Sequence, residues 1–332
     1  MQENSDQIEI ISHHSTLLES VQSFLQIYNS KNTIEVQTSG STGKPKKYNV
    51  QKERFIRSAE RTCDFFNLKE GDRAFLCISP KYIGGKMMII RALTRKMKLE
   101  LGEVAAFPFL EKSELDFAAF VPLQIKCILE RDPDYLKRIK NIIIGGGAID
   151  PFTEKLLVQH EINAYSTFGM TETLSHIALR KVGTEEFILL DSVKIKTDSE
   201  NRLIIMDPEV TGLDELQTND IVVLTGPNSF IWKGRHDNVI NSGGVKLYPE
   251  IIEKKLSEVI TSPFFIAKEK DPILGEKVIL IIEGKTRETE NLTPYLDKYE
   301  IPKNIYFLDQ FLFTETEKIN RIKTMEKLGI EG

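Results

Sequence analysis

The run Thr38-Ser39-Gly40-Ser41-Thr42-Gly43-Lys44-Pro45-Lys46-Lys47 concentrates glycine, hydroxyl and cationic residues in ten positions. Gly40 and Gly43 permit backbone with φ > 0 and close approach to a ligand. Successive backbone N–H groups in such a turn form an anion-binding concavity. Thr38, Ser39, Ser41 and Thr42 add hydroxyl donors, and Lys44, Lys46 and Lys47 add charge. The composition implies a grip on phosphate; the plainer alternative is a solvated Gly/Ser loop. A Walker A loop is excluded. That motif has four residues between its glycines and a Ser or Thr after its Lys, whereas two residues separate Gly40 from Gly43, and Pro45 follows Lys44.

Outward from this loop, Ile34 to Gln37 reads as a strand, and Val50 to Phe66 as a helix that is amphipathic over Gln51 to Phe66. Leu17, Leu18, Val21, Phe24, Leu25 and Tyr28 have helical spacing. Three segments then repeat a strand, a turn and a helix. They are Ala74–Ser79 with Gly84-Gly85 and a helix through Leu93, Phe117–Leu129, and Asn141–Leu157 with Gly145-Gly146-Gly147. Asp150 and Pro151 suit the cap and first position of a helix. The triple glycine lacks dinucleotide spacing, so NAD is not implied. Alternating strands and helices indicate a parallel α/β sheet with ligands at the carboxyl ends of its strands.

Tyr165-Ser166-Thr167-Phe168-Gly169-Met170-Thr171-Glu172-Thr173 places an aromatic, a glycine, a hydroxyl and a carboxylate at a strand end. Phe168 suits stacking on a base, Thr171 a phosphate oxygen, and Glu172 a hard cation such as Mg²⁺. Short runs between Phe187 and Leu224 read as antiparallel strands, with Asp220 near their end. Gly234-Arg235-His236-Asp237 and Asn241-Ser242-Gly243-Gly244-Val245-Lys246 follow, and Pro249 opens a helix. His236 is assigned no role. Strands at Phe264–Ala267, Lys277–Glu283 and Ile305–Leu308, with a helix at Leu292–Tyr299, make a small α+β module. It closes on Phe313-Thr314-Glu315-Thr316-Glu317-Lys318-Ile319-Asn320-Arg321.

These motifs, in this order, resemble those of the adenylate-forming superfamily (acyl-CoA synthetases, luciferases and peptide-synthetase adenylation domains). The resemblance spans residues 38 to 321. It implies an α/β fold with a large domain over 1–236, built of mainly parallel sheets plus a β-rich subdomain. A small α+β domain over 237–332 joins it through a hinge at Asp237. The cofactors and substrates implied are ATP, Mg²⁺, a small-molecule carboxylic acid and coenzyme A. By resemblance the loop of Thr38 to Lys46 holds the outer phosphates. Gly146 and Gly147 lie against adenine, with Phe168 and Gly169 beside them. Asp220 holds the ribose hydroxyls, and Arg235 contacts the nucleotide. Thr171, Glu172 and Lys318 are the catalytic positions, Glu172 also the metal ligand. Ser242, Gly243, Gly244 and Lys246 form the thioester side. Departures are Lys47 where a small residue is usual, and Asn219 and Glu317 where glycine is usual.

The segment Ser79 to Met88 and the glycine-rich Ile144 to Ile149 look most like the o-succinylbenzoate–CoA ligase subfamily of menaquinone biosynthesis. That likeness implies a dicarboxylate substrate, with Lys81, Tyr82, Gly85, Lys86 and Arg91 around the acyl group. Lys81, Lys86 or Arg91 would supply the cation for the second carboxylate. Another acyl- or aryl-CoA ligase, an acyl-carrier ligase, and a non-catalytic adenylate-binding protein are the alternatives.

The bulk numbers are ordinary for a soluble globular protein. The chain has 332 residues, 41% hydrophobic and 28% charged, with a net charge of -5. Nucleic acid is therefore not implied as a partner. Cys63, Cys77 and Cys127 show no metal spacing and read as small buried hydrophobes in a reducing cytoplasm. Met1 to Asp6 carry no signal-peptide pattern, and no run approaches a membrane span. The phosphate loop begins early for the superfamily, so a shortened N-terminal region is expected. A homo-oligomer is compatible with the sequence.

Overall fold

The structure is a computed structural model that describes residues 8–12, 15–37, 47–108, 114–285, 291–313 and 319–330. Thr38, Ser39, Gly40, Ser41, Thr42, Gly43, Lys44 and Lys46 lie outside the described residues, as does Lys318.

Among the described residues, twelve strands form one sheet. Its parallel part runs, in spatial order, Ile10–Ser12, Lys98–Leu101, Arg73–Leu76, Leu115–Phe120, Ile139–Ile144 and Ala164–Gly169. Side chains alternate across the pleat. Ala74, Leu76, Phe117, Ala119 and Ile143 enter one core, while Phe75, Ala118, Phe120, Ile142 and Ile144 enter the other. With both faces covered, the strands read as unbroken apolar runs. Helices Lys52–Phe65 and Ile83–Arg95 cover the first face through Phe55, Ala59, Met87 and Ile90. Pro122–Arg131 and Pro151–Gln159 cover the second through Ile125, Ile128 and Leu157. Asp150 caps the latter helix, its carboxylate accepting from the Thr153 N–H at 2.9 Å.

The sheet changes direction after Ala164–Gly169. A 3-10 turn, Thr171–Thr173, returns the chain as His176–Lys181, antiparallel to its predecessor. The strands Glu186–Leu189, Ser229–Arg235, Leu216–Gly226, Arg202–Met206 and Lys194–Thr197 continue antiparallel in that spatial order. The expected β-rich part thus extends the parallel sheet.

A second sheet holds Val245–Leu247, Ile240–Ser242, Gly275–Glu283 and Phe264–Asp271, with Asn304–Leu308 parallel to Gly275–Glu283. Alternation again builds two cores. Ile266, Leu280 and Ile282 pack under helix Pro249–Leu256, while Phe265, Ile279 and Ile281 pack with Met325 of helix Arg321–Lys327. The two units touch along helix Pro249–Leu256, where the Glu250 carboxylate lies against Gly234 and Lys254 pairs with Glu185 at 3.0 Å.

Two local expectations are corrected. The expected helix does not begin at Val50. Lys47–Gln51 is a strand, paired antiparallel with Thr33–Gln37, and the helix starts at Lys52. Ile34, Val36 and Val50 share one buried face, a period of two that outweighs the helical pattern beginning at Lys52. Leu292–Tyr299 is not a helix. Only Thr293–Tyr295 makes a 3-10 turn, and the chain is extended at Leu296. Leu292 and Leu296 are buried but Tyr299 is 57% exposed, so no continuing apolar stripe holds further turns. The cysteines are free thiols, Cys63 and Cys77 buried and Cys127 half-buried. Among the described residues no helix is long and apolar enough to cross a membrane.

Candidate active site

The sheet reverses from parallel to antiparallel after Ala164–Gly169, and Phe168, Gly169, Thr171 and Glu172 sit at that reversal. Gly169 must be small there. A Cβ on it would lie 2.3 Å from the Ser175 carbonyl and 2.5 Å from the His176 Cα. The strand end and the returning strand are therefore in backbone contact. Phe168 leans edge-on against Phe187 and Phe230, at centroid distances of 5.7 and 5.1 Å, which fixes its ring.

Thr171 and Glu172 open the 3-10 turn. Glu172 is exposed, and among the described residues its carboxylate has no hydrogen-bond or ionic partner. A free carboxylate beside a hydroxyl fits a hard divalent cation that takes its other ligands from phosphate and water. Among the described residues no cluster of three His, Cys, Asp or Glu competes for that role.

Tyr48 was missed by sequence reasoning. Its hydroxyl donates to the Thr171 carbonyl at 3.3 Å. Burial, and then the charge of Glu172, push its phenol up from its ordinary value. Tyr48 stands one residue beyond the phosphate-loop hairpin closure at Gln37 and Lys47, so it ties that hairpin to the Thr171 turn. The available signal was an aromatic directly after a glycine-rich loop. We expect Tyr48→Phe to raise the half-saturating concentration of Mg·ATP about fivefold, the loss of one hydrogen bond of roughly 1 kcal/mol. Pyrophosphate release measured against Mg·ATP checks this; an unchanged curve refutes the tie.

Lys47 pairs with Glu35 across the hairpin at 2.9 Å, both side chains well exposed. This accounts for a lysine at a position where the superfamily has a small residue. Lys86 also reaches this hairpin, its ammonium donating to the Glu35 carbonyl at 2.6 Å.

Asp220, Arg235 and Asp237 come together. Asp220 is buried, its Oδ1 accepting from Trp232 Nε1 at 2.9 Å, with Arg235 Nη1 4.0 Å from its Oδ2. Arg235 also donates to Asp237 at 2.8 Å. Burial raises the Asp220 carboxyl above the usual range; Trp232 and Arg235 oppose the rise and Asp237 adds to it.

The expected acyl-side cations separate. Lys81 and Tyr82 are exposed. Gly85 serves packing, since a Cβ there would lie 2.3 Å from the Ser79 carbonyl. Arg91 is 1% exposed, donates to Ser175 Oγ at 2.8 Å and to Met88 Sδ at 3.7 Å, and lies 6.0 Å from the Phe117 ring centroid. Its Nε is buried without a partner, and among the described residues no carboxylate pairs with it. Burial lowers its pKa to about 10, so it remains a cation.

Gly146 and Gly147 lie exposed at the turn after Ile139–Ile144, next to Val121 and Pro122. Ser242, Gly243, Gly244 and Lys246 form a tight hairpin on the smaller sheet, apart from the strands that carry Asp220 and Arg235.

The model of the AMP-binding enzyme family matches residues 36–213. The chain is 27% identical over 324 residues to the 2-succinylbenzoate–CoA ligase of Listeria monocytogenes serotype 4b, covering 87% of this chain and 69% of that protein. It is 24% identical over 327 residues to the enzyme of the same name from Bacillus cereus, covering 86% and 68%. Among solved structures it is similar to an acyl-CoA synthetase (AMP-forming)/AMP-acid ligase II-like protein from Dyadobacter fermentans DSM 18053. The TM-score is 0.65 and the identity 32%, over 95% of both chains. It shares its fold with the Bacillus subtilis o-succinylbenzoate coenzyme A synthetase bound to ATP and magnesium, at TM-score 0.75 and 20% identity over 87% of this chain and 69% of that one.

Proposed function

Because the chain belongs to the AMP-binding enzyme family, we propose that it is an AMP-forming acid–CoA ligase acting on o-succinylbenzoate. In the first step a carboxylate oxygen of the acid attacks the α-phosphorus of ATP, and the bond to pyrophosphate breaks. In the second the thiolate of coenzyme A attacks the acyl carbonyl, and the bond to AMP breaks. Asp220 accepts the ribose hydroxyls, Arg235 faces the nucleotide, and Thr171 takes a phosphate oxygen. Glu172 would hold Mg²⁺, which neutralises phosphate charge when bound. Lys318 is proposed to reach the reacting carboxylate and α-phosphate, and Asp237 to serve as the hinge that exchanges it for the Ser242–Lys246 side.

The observation that carries the substrate is Arg91. A buried guanidinium with no counter-ion is costly, and an incoming carboxylate would offset that cost. An o-succinylbenzoate activated at its aliphatic end presents its aromatic carboxylate to such a group. The names of the Listeria and Bacillus relatives support the same acid. Of the three cations weighed from sequence, Lys86 already serves a backbone carbonyl and Lys81 faces solvent.

The test is CoA consumption with ATP, Mg²⁺ and o-succinylbenzoate, beside benzoate and hexanoate. Arg91→Gln should raise the KM for o-succinylbenzoate roughly tenfold with little change in the KM for ATP, the loss of one charge-assisted hydrogen bond. An equal effect on both KM values, or turnover with all three acids alike, would refute the assignment.

A further inference from the structure

Arg91 is one end of a buried polar chain whose hydrogen bonds run in a single direction. Its Nη2 lies 2.8 Å from Ser175 Oγ. Ser175 Oγ lies 3.3 Å from His176 Nδ1, and His176 Nε2 lies 3.1 Å from Thr62 Oγ1. Thr62 Oγ1 lies 3.4 Å from the Ser58 carbonyl in its own helix. His176 and Thr62 are 6% and 0% exposed.

A guanidinium only donates, so Ser175 Oγ accepts from Arg91. Thr62 spends its one hydrogen on the Ser58 carbonyl, so its oxygen accepts from the His176 Nε2–H. A neutral imidazole with its proton on Nε2 accepts at Nδ1, and the Ser175 hydroxyl donates there. Burial, and then the charge of Arg91, hold the His176 imidazole well below its usual pKa and therefore neutral. The chain has no carboxylate. It aims the guanidinium without neutralising it, which leaves the positive charge for an external anion.

Resting on the dicarboxylate reading above, we propose that His176, acting through Ser175, is a positioning residue that sets Arg91 and thereby selects acids bearing a second carboxylate. A carboxylate in place of His176 would satisfy the same bonds but cancel the charge. An apolar residue would free Ser175 to turn its hydrogen elsewhere and let the guanidinium swing. Neutral imidazole, with one acceptor and one donor on opposite sides, meets both requirements. His176 and Thr62 join the strand His176–Lys181 to the helix Lys52–Phe65, and Arg91 stands on Ile83–Arg95, so three elements fix the aim.

The experiment compares kcat/KM for o-succinylbenzoate with that for 4-oxo-4-phenylbutanoate, the same aliphatic acid without the ring carboxylate. The ratio of the two is the readout. Arg91→Gln should lower it at least tenfold. His176→Leu and Ser175→Ala should each lower it at least threefold, with the loss in the KM for o-succinylbenzoate rather than in kcat. His176→Asn, whose amide oxygen can take the Ser175 hydrogen, should restore most of the ratio. If His176→Leu fails to fold, Ser175→Ala, a small truncation at a half-buried site, carries the test. A ratio lowered by Arg91→Gln but untouched by His176→Leu and Ser175→Ala would overturn this inference and leave the substrate reading standing. Equal losses on both acids in the His176 and Ser175 variants would reduce the chain to a structural role and overturn it too. A ratio that Arg91→Gln itself does not move would overturn the dicarboxylate reading, and this inference with it.

Discussion

Asp220→Asn is expected to lower kcat/KM for ATP about 100-fold while leaving the folded protein as stable at neutral pH, or more so. The loss follows from the proposed role. A carboxylate takes two strong hydrogen bonds from a vicinal diol, each worth roughly 1.5–3 kcal/mol when one partner is charged. An amide retains one weaker acceptor, and a net loss of about 3 kcal/mol is roughly two powers of ten. The stability gain follows from burial. The Asp220 carboxyl is raised above its ordinary value in the fold, burial being the first cause. Its folded pKa therefore exceeds its unfolded one, the folded state binds more protons between the two, and stability falls as pH rises through that window. Wild type carries that penalty on the high-pH side of the window, and asparagine carries none. Asparagine still accepts from Trp232 through Oδ1. Trp232 is the only tryptophan of the chain, so its emission reports nucleotide binding beside Asp220. Pyrophosphate release and urea unfolding at pH 5 and pH 7 check both halves. Unchanged kinetics would remove Asp220 from the site, and a variant less stable at pH 7 would show that burial is not its dominant energy.

The motifs were legible because each combines residue types that a fold seldom brings together without a use. Glycine beside hydroxyl and carboxylate at 169–172, and Arg235 two residues before Asp237, could be read without a structure. The parallel sheet was legible too, since strands buried on both faces carry apolar runs such as Ile142-Ile143-Ile144. What stayed hidden depends on pairings distant in sequence. The strand Lys47–Gln51 is defined by its ladder with Thr33–Gln37, and a five-residue run before a helix gives no independent period. Tyr48 meets Thr171 across 123 positions, and Thr62 meets His176 across 114. Arg91 shows the same limit in another way. Its charge marked it as a candidate beside Lys81 and Lys86, but only burial without a carboxylate partner among the described residues separates the three.

Arg321→Met is expected to cut acyl-adenylate formation about 100-fold while largely sparing thioester formation from supplied acyl-adenylate. Phe313 and Ile319, which flank the Lys318 segment in sequence, form an antiparallel bridge. The Asn320 N–H donates to the Leu312 carbonyl at 2.7 Å, and the Asn320 side chain caps the helix Arg321–Lys327. Arg321 secures the chain just after this bridge. It pairs with Glu253 at 2.8 Å, donates to the Ile266 carbonyl at 3.3 Å, and lies 5.5 Å from the Phe265 ring centroid. Loss of this anchor misplaces the proposed lysine, and about 1 Å of misplacement costs roughly two powers of ten. The thioester step is proposed to use the Ser242–Lys246 side, which Arg321 does not touch in this structure. Stability should fall by about 2 kcal/mol, because a mostly buried carboxylate loses its cation. Adding Glu253→Gln should return most of that, since the amide oxygen can still accept from the Ile266 N–H, which now donates to Glu253 at 2.8 Å. The pH dependence distinguishes the two variants. Burial already raises the Glu253 carboxyl, and Arg321 is the largest influence opposing that rise. In Arg321→Met the folded pKa climbs further above the unfolded one. The deficit is then fully present above the folded pKa and shrinks as acid protonates Glu253. Urea unfolding of the single variant should approach wild type between pH 7 and pH 5, whereas the double variant should show no such approach. A deficit in the single variant that is flat across this range would mean that Glu253 is not the group left uncompensated. Equal loss of both half-reactions would mean that Arg321 supports the whole small unit rather than the placement of Lys318.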